Sequence, residues 1–205
     1  MTNSQEALQR LREGNERFTS EVHSGKRFLR RMRSAKTNFA QKPFAIIVGC
    51  SDSRVPVELV FDQDLGDLFV IRVAGNIVAP SQLGSAEFAA AEFGTPLVVV
   101  LGHTHCGAIL GTLERLRRPV EARSPHMRFI SERIEPAISG FLAPELGYDR
   151  DTLMRKSVEA NVHQSVAQLR NGSRILESLI ASGQLQVVGA QYALETGRVE
   201  FFDDR

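Results

Sequence analysis

Leu97-Val98-Val99-Val100-Leu101, followed at once by Gly102-His103-Thr104-His105-Cys106-Gly107, is the stretch that decides the fold. A short, unbroken Val/Leu run is the signature of a strand buried on both faces, because a solvated face would interrupt it with polar residues. Phe44–Gly49 (FAIIVG) and Leu68–Val73 (LFVIRV) are runs of the same kind, and Gln186–Tyr192 with Gly197–Phe202 reads as a closing pair. Helical patterns lie between them: Ser81–Phe93, Cys106–Arg117, and a long block over roughly Met127–Gly140 and Asp151–Ala181, broken at Pro144, Gly147 and Gly172. This alternation predicts an α/β fold, a mainly parallel central β-sheet flanked by helices.

Upstream of the first strand, residues 3–19 carry Ala7, Leu8, Leu11 and Phe18 at roughly helical spacing, with Asn3 or Ser4 as a cap. A second, basic helix is expected over residues 26–40, where Lys26, Arg27, Arg30, Arg31, Arg33 and Lys36 fall close together. The expected organisation is one domain over residues 1–205. Residues 1–40 form an N-terminal helical arm outside the core, and residues 41–205 form the α/β core.

Composition bounds the function. The 205 residues hold 25 Lys and Arg against 24 Asp and Glu, so no bulk charge points to nucleic acid or an anionic membrane. The basic run at 26–36 reads as a solvated or subunit-contacting face, since the aromatic platforms of nucleic-acid sites are sparse there. The first 20 residues lack an apolar signal core, and no stretch approaches the ~18 apolar residues of a membrane helix. A soluble, cytoplasmic protein is expected, with no nucleic-acid or membrane partner. Two cysteines, Cys50 and Cys106, are too few for a disulfide scaffold, so they are expected as reduced thiols or metal thiolates.

Both cysteines sit just past a predicted strand. Cys50 opens Cys50-Ser51-Asp52-Ser53-Arg54 after FAIIVG, and Cys106 follows LVVVL together with His103. Ligands of open parallel sheets bind outside the carboxyl ends of the strands. Two sulfurs and one imidazole suit zinc, and three protein donors leave a fourth position open, the catalytic arrangement. Two thiolates neutralise the ion, so the centre acidifies water less than an all-histidine centre, and a helper base matters more. Asp52, two residues from Cys50, can reach the open position as base or as a fourth ligand, and Arg54 can hold it ionised.

Plainer readings stand beside this one. Isolated buried cysteines are usually inert small hydrophobes. His103 can be a core histidine, and Asp52 a cap for the segment after Pro56. Other cysteine chemistries fit less well: Arg54 is too near Cys50 for a phosphatase loop, neither cysteine lies in a CxxC pair, and no phosphate-binding glycine loop occurs.

Taken together, Cys50-Ser-Asp-Ser-Arg54-Val55, Asp67-Leu-Phe-Val-Ile-Arg-Val-Ala-Gly-Asn76, Gly102-His-Thr-His-Cys-Gly107 and Gly189-Ala-Gln-Tyr192 resemble the β-class carbonic anhydrases, in the family's order along the whole chain. The resemblance implies one Zn²⁺ per chain on Cys50, His103 and Cys106, with Asp52 and Arg54 as the catalytic dyad of CO₂ hydration to bicarbonate. It implies Gln41 and the Gly107 amide as bicarbonate contacts, Phe69 and Phe88 as the wall of a CO₂ cleft that a second subunit completes, and Ala74 in the pocket wall where plant members often carry valine. A homodimer or homotetramer with sites at the dimer interface follows. So does a closed state in which Asp52 itself is the fourth ligand. Bicarbonate-inhibited members carry a Trp at the position of Ile47, working with an Arg and a Tyr matched here by Arg72 and Tyr192, so that regulatory triad is incomplete. His105 is an unusual residue between the two ligands. The runner-up activities are CS₂ or COS hydrolysis on the same zinc site and a non-catalytic zinc or nucleic-acid-binding role.

Overall fold

The structure, a computed structural model, describes residues 2–20, 41–118 and 124–202. Five strands form one sheet: β1 (Ala45–Gly49), β2 (Leu68–Arg72), β3 (Leu97–His103), β4 (Gln186–Tyr192) and β5 (Val199–Phe201). Their order is β2-β1-β3-β4-β5; the first four are parallel and β5 runs antiparallel to β4. Every residue of β1 and β3 is buried, as the unbroken apolar runs require. The expected basic helix at 26–40 lies outside the described residues.

Side chains alternate between two cores. Ala45, Ile47, Leu97, Val99 and Leu101 face α1 (Ser4–Ser20) and the short α2 (Val57–Val60). Ile46, Val48, Val98 and Val100 face α3 (Pro80–Phe93), α6 (Arg150–Asn171) and α7 (Arg174–Ala181). α4 (Gly107–Arg117) and α5 (Pro125–Ile138) build a third cluster at the carboxyl end of the sheet, around Cys50, Cys106, Ile109 and Ile134. Helix boundaries follow local chemistry: Pro80 stands in the first turn of α3, Gly94 ends it with φ 63°, and Asp149 and Ser173 cap α6 and α7 by accepting the amides of Thr152 and Leu176.

The N-terminal helix is present, but its packing differs from the sequence expectation. Ala7 and Leu11 are fully buried in the first core, so residues 4–20 belong to the core and are not an arm outside it. Asn15, also buried, donates to the carbonyls of Val60 and Gly197 at 3.0 and 2.9 Å and accepts the Val199 amide at 2.8 Å. Gly14 permits the approach, since a Cβ there would lie 1.9 Å from the Phe61 carbonyl oxygen. Sequence periodicity shows that a helix is amphipathic, but not which surface it covers.

From β1 the chain passes to β2 on one side, while β3, on the other side of β1, leads on to β4. The loops leaving β1 and β3 therefore diverge and open a crevice at the carboxyl ends, the place where such sheets bind ligands. Gly49 is paired with Leu101, so Cys50 and His103 emerge from neighbouring strands at nearly the same height.

Candidate functional site

Three side chains converge in that crevice. Cys50 leaves β1, His103 ends β3, and Cys106 caps the amino end of α4; all are buried, and their ligand atoms lie within 4.8 Å of one another. His103 is completely buried. Its Nδ1 donates to the Thr104 carbonyl at 2.8 Å, which leaves Nε2 as a lone-pair donor with no hydrogen-bond partner. A fully buried polar atom with no partner is costly, and a cation is what this one is shaped to receive.

The sulfurs make the same case. Cys50 Sγ accepts the Gly75 amide at 3.3 Å. The Cys50 thiol is held well below the ordinary range, chiefly by a hydrogen bond from Cys106, against the opposing effect of burial. Cys106 is pushed up by that same hydrogen bond, by burial and by the charge on Cys50. The two shifts oppose each other because the buried sulfurs face one another; a divalent cation between them would let both ionise. The residues present thus fit a metal of the zinc type, a borderline-soft ion that takes Cys and His together.

Gly75 can serve as the amide donor because it occupies a left-handed conformation (φ 71°), and a Cβ there would meet Ile134 Cδ1 at 2.8 Å. Its carbonyl accepts from Asn161 Nδ2 at 2.8 Å, and the Asn76 carbonyl accepts from Ser165 at 3.0 Å, so α6 braces this turn from behind.

Asp52 and Arg54 stand beside the three donors. Arg54 Nε and Nη2 donate to the two carboxylate oxygens of Asp52 at 2.9 and 2.8 Å, and the Arg54 amide adds a bond of 3.0 Å. These bonds hold the Asp52 carboxyl far below the usual carboxylate range. Asp52 Oδ2 lies 3.9 Å from His103 Nε2. Asp52 therefore faces the donor set while paired to arginine, and it caps no helix: Pro56 occupies that position in α2. Arg72 secures the same loop, donating to the Cys50 and Asp52 carbonyls at 2.9 and 2.6 Å. Ile47 and Tyr192, at the other two positions of the regulatory triad, are packed in the first core.

The remaining predicted residues divide. Gly107 is exposed at the first turn of α4, next to Cys106, and it lines, with Ala74, a cavity of about 1060 Å³ between α4 and α5 whose lining does not include Cys50, Asp52, His103 or Cys106. Gln41, Phe69 and Phe88 do not join the site of their own chain. Gln41 is exposed before β1, at the opposite end of the sheet from Cys50. Phe69 is level with Ile46, four residues short of Cys50, or about 13 Å at ~3.3 Å per strand residue. Phe69, Phe88 and Phe93 form an aromatic group with centroids 5.4 to 6.3 Å apart, and Phe88 is 51% exposed.

A mostly parallel sheet with a Cys–His–Cys donor set at its switch point, flanked by a paired aspartate and arginine, defines an α/β protein of the β-carbonic anhydrase fold. Comparison with known proteins gives the same answer. The carbonic anhydrase family profile matches residues 45–199. A carbonic anhydrase of Mycolicibacterium smegmatis is 39% identical over 196 residues, covering 95% of this chain and 91% of that protein. Carbonic anhydrase 2 of Mycobacterium tuberculosis is 38% identical over 208 residues, covering 98% and 94%. Among solved structures, the β-carbonic anhydrase CcaA superposes with a TM-score of 0.72 at 28% identity, over 96% of this chain and 95% of that one. The Coccomyxa β-carbonic anhydrase in complex with acetazolamide gives 0.71 at 27% identity, over 93% and 83%. The chain belongs to the carbonic anhydrase family, in its β class, and is an enzyme of that activity.

Proposed function

We propose that the protein hydrates CO₂ reversibly to bicarbonate and a proton on one Zn²⁺ held by Cys50, His103 and Cys106. The observation that carries this is the buried, unpartnered Nε2 of His103, within 4.8 Å of two thiols and 3.9 Å from the Asp52 carboxylate. Bound zinc supplies a Lewis-acid charge that acidifies water near neutral pH. The chain's own residues do the rest. Asp52, kept ionised by Arg54, is placed to accept a hydrogen bond at Oδ2, on the side of the donor set, and so to direct the departing proton. The bidentate pair also keeps Asp52 off the metal, which favours the open over the closed arrangement. The Gly107 amide, at the positive end of α4, is placed to hold an anionic product.

Gln41, Phe69 and Phe88 are assigned to the site of a second copy. Each lies too far from its own Cys50, and the exposed aromatic group offers an apolar wall for CO₂. A homodimer with sites at its interface follows, and tetramers built from it are in keeping with the tetrameric β-carbonic anhydrases of Sordaria macrospora, which share this fold. We take residues 1–205 as one domain and place the protein in the cytoplasm, where both cysteines stay reduced. Among the described residues no helix is long and apolar enough to cross a membrane.

The test is stopped-flow CO₂ hydration by zinc-loaded wild type and by Cys106→Ser, with CS₂ offered to the same samples. Rapid hydration of CO₂ by the wild type alone is expected. Equal rates in the two proteins, or turnover of CS₂ without CO₂, would contradict the proposal.

A further inference from the structure

Glu195 lies outside both the donor set and the Asp52–Arg54 pair, in the turn between β4 and β5. Its two carboxylate oxygens hold successive residues of the ligand loop: Oε2 accepts the Thr104 hydroxyl at 3.0 Å, and Oε1 accepts His105 Nε2–H at 2.6 Å. Thr104 is pinned further by its amide, which donates to the Tyr192 carbonyl at 2.9 Å, and by its hydroxyl, which accepts the Leu194 amide at 3.0 Å.

From those two residues two carbonyls face the site. The Thr104 carbonyl receives His103 Nδ1–H and so fixes the tautomer and aim of the imidazole. The His105 carbonyl accepts from Arg54 Nη2 at 3.3 Å. One carboxylate therefore sets the position of two groups, one orienting a metal donor and one orienting the partner of Asp52. The backbone of His105 adds a second, independent sign. Its φ is 54°, a left-handed conformation that non-glycine residues keep only where the surroundings over-determine it. The His105 side chain is 64% exposed, and Glu195 is the partner its ring reaches.

We propose that Glu195 is a positioning residue for this centre, acting through Thr104 and His105 on the His103 imidazole and the Arg54 guanidinium. The inference rests on the zinc reading of the Cys–His–Cys set. A surface ion pair contributes little by itself; the role proposed is one of geometry, not of stability.

The experiment compares zinc-loaded wild type with Glu195→Ala, Glu195→Gln, His105→Ala and the double variant Glu195→Ala/His105→Ala. Three quantities are read: zinc release to a fixed excess of chelator, kcat and KM separately, and the thiolate charge-transfer band of the cobalt-substituted proteins. Glu195→Ala should release zinc about tenfold faster and lose about tenfold in kcat with KM little changed, the size typical of residues that orient metal ligands. Its cobalt band should shift. Glu195→Gln, which keeps an acceptor for Thr104, should recover part of each loss. The double variant should lose less than the product of the single effects, because both changes break one connection. A lowered melting temperature with unchanged zinc release, kcat and cobalt band marks a structural role and overturns the proposal, as do fully multiplicative losses. Wild type that holds no zinc overturns the reading of the centre and this proposal together; zinc-holding wild type matched by Glu195→Ala overturns the proposal alone.

Discussion

Leu97, Val98 and Val99, at the amino end of β3, are fully buried among apolar neighbours, and nearby Thr95 donates its hydroxyl to the Pro43 carbonyl at 3.0 Å. A few residues on, at the carboxyl end of the same sheet, the rules change. Gly75, Asn76 and His105 take left-handed backbone, and His103 Nε2 and Asn76 Nδ2 are buried without partners. Left-handed backbone also occurs in the loops leading into the amino ends of β2 and β3, at Asp62 and Gly94; what sets the carboxyl end apart, among the described residues, is its buried polar atoms without partners. Strain and unmet hydrogen bonds concentrate where a protein binds or reacts, because the rest of the fold supports their cost.

Substitutions at the two ends should therefore separate activity from stability. The largest effect is expected at the carboxyl end: Cys106→Ser should lose bound zinc and bring CO₂ hydration to background, measured by metal content and stopped flow. Next comes Asp52→Asn, which should keep its zinc yet lose about 10²- to 10⁴-fold in kcat, the usual worth of a side chain positioned on the transferring proton. Its urea midpoint should fall only slightly, since Arg54 is half exposed and such a pair is worth little. At the amino end the pattern inverts. Leu97→Ala should cost about 2–5 kcal/mol in urea unfolding through the cavity it leaves, with activity per folded molecule unchanged. A loss of kcat in Leu97→Ala as large as that in Asp52→Asn would erase the distinction between the two ends.

The smallest effect sharpens the comparison away from both ends. Asp149 caps α6, and the Thr152 amide holds its carboxyl below the ordinary value of 3.8. A depressed carboxylate contributes its full stability above 3.8 and loses it as pH falls through the lower folded value. Asp149→Ala should lower the urea midpoint slightly at neutral pH, and the gap from wild type should narrow in acid. A gap that widens in acid would reverse the assigned sign.

Much of this was legible in the sequence because the informative residues are neighbours in it. The Val- and Ile-rich runs became β1 to β4, since burial on both faces leaves no room for polar alternation. Asp52 with Arg54, and His103 with Cys106, each sit within a few positions of one another, and the rule that sites form at strand ends joined them to Cys50. What stayed hidden is non-local. Nothing in the periodicity of residues 4–20 shows that Ala7 and Leu11 enter the core. No spacing links Glu195 to His105, ninety positions away, or Asn161 to the carbonyl of Gly75. Arg72 is readable as a triad member but not as the clamp on the Cys50–Asp52 carbonyls. Gln41, nine residues before Cys50, is near in sequence and far in space, because the intervening strand is extended.

The central claim is that Cys50, His103 and Cys106 hold one zinc ion. Zinc-edge X-ray absorption on the purified protein tests it most directly. The expected result is one zinc per chain with two sulfur scatterers at about 2.3 Å and an imidazole nitrogen at about 2.0–2.1 Å. Protein without stoichiometric zinc, or zinc surrounded only by oxygen and nitrogen, would contradict it.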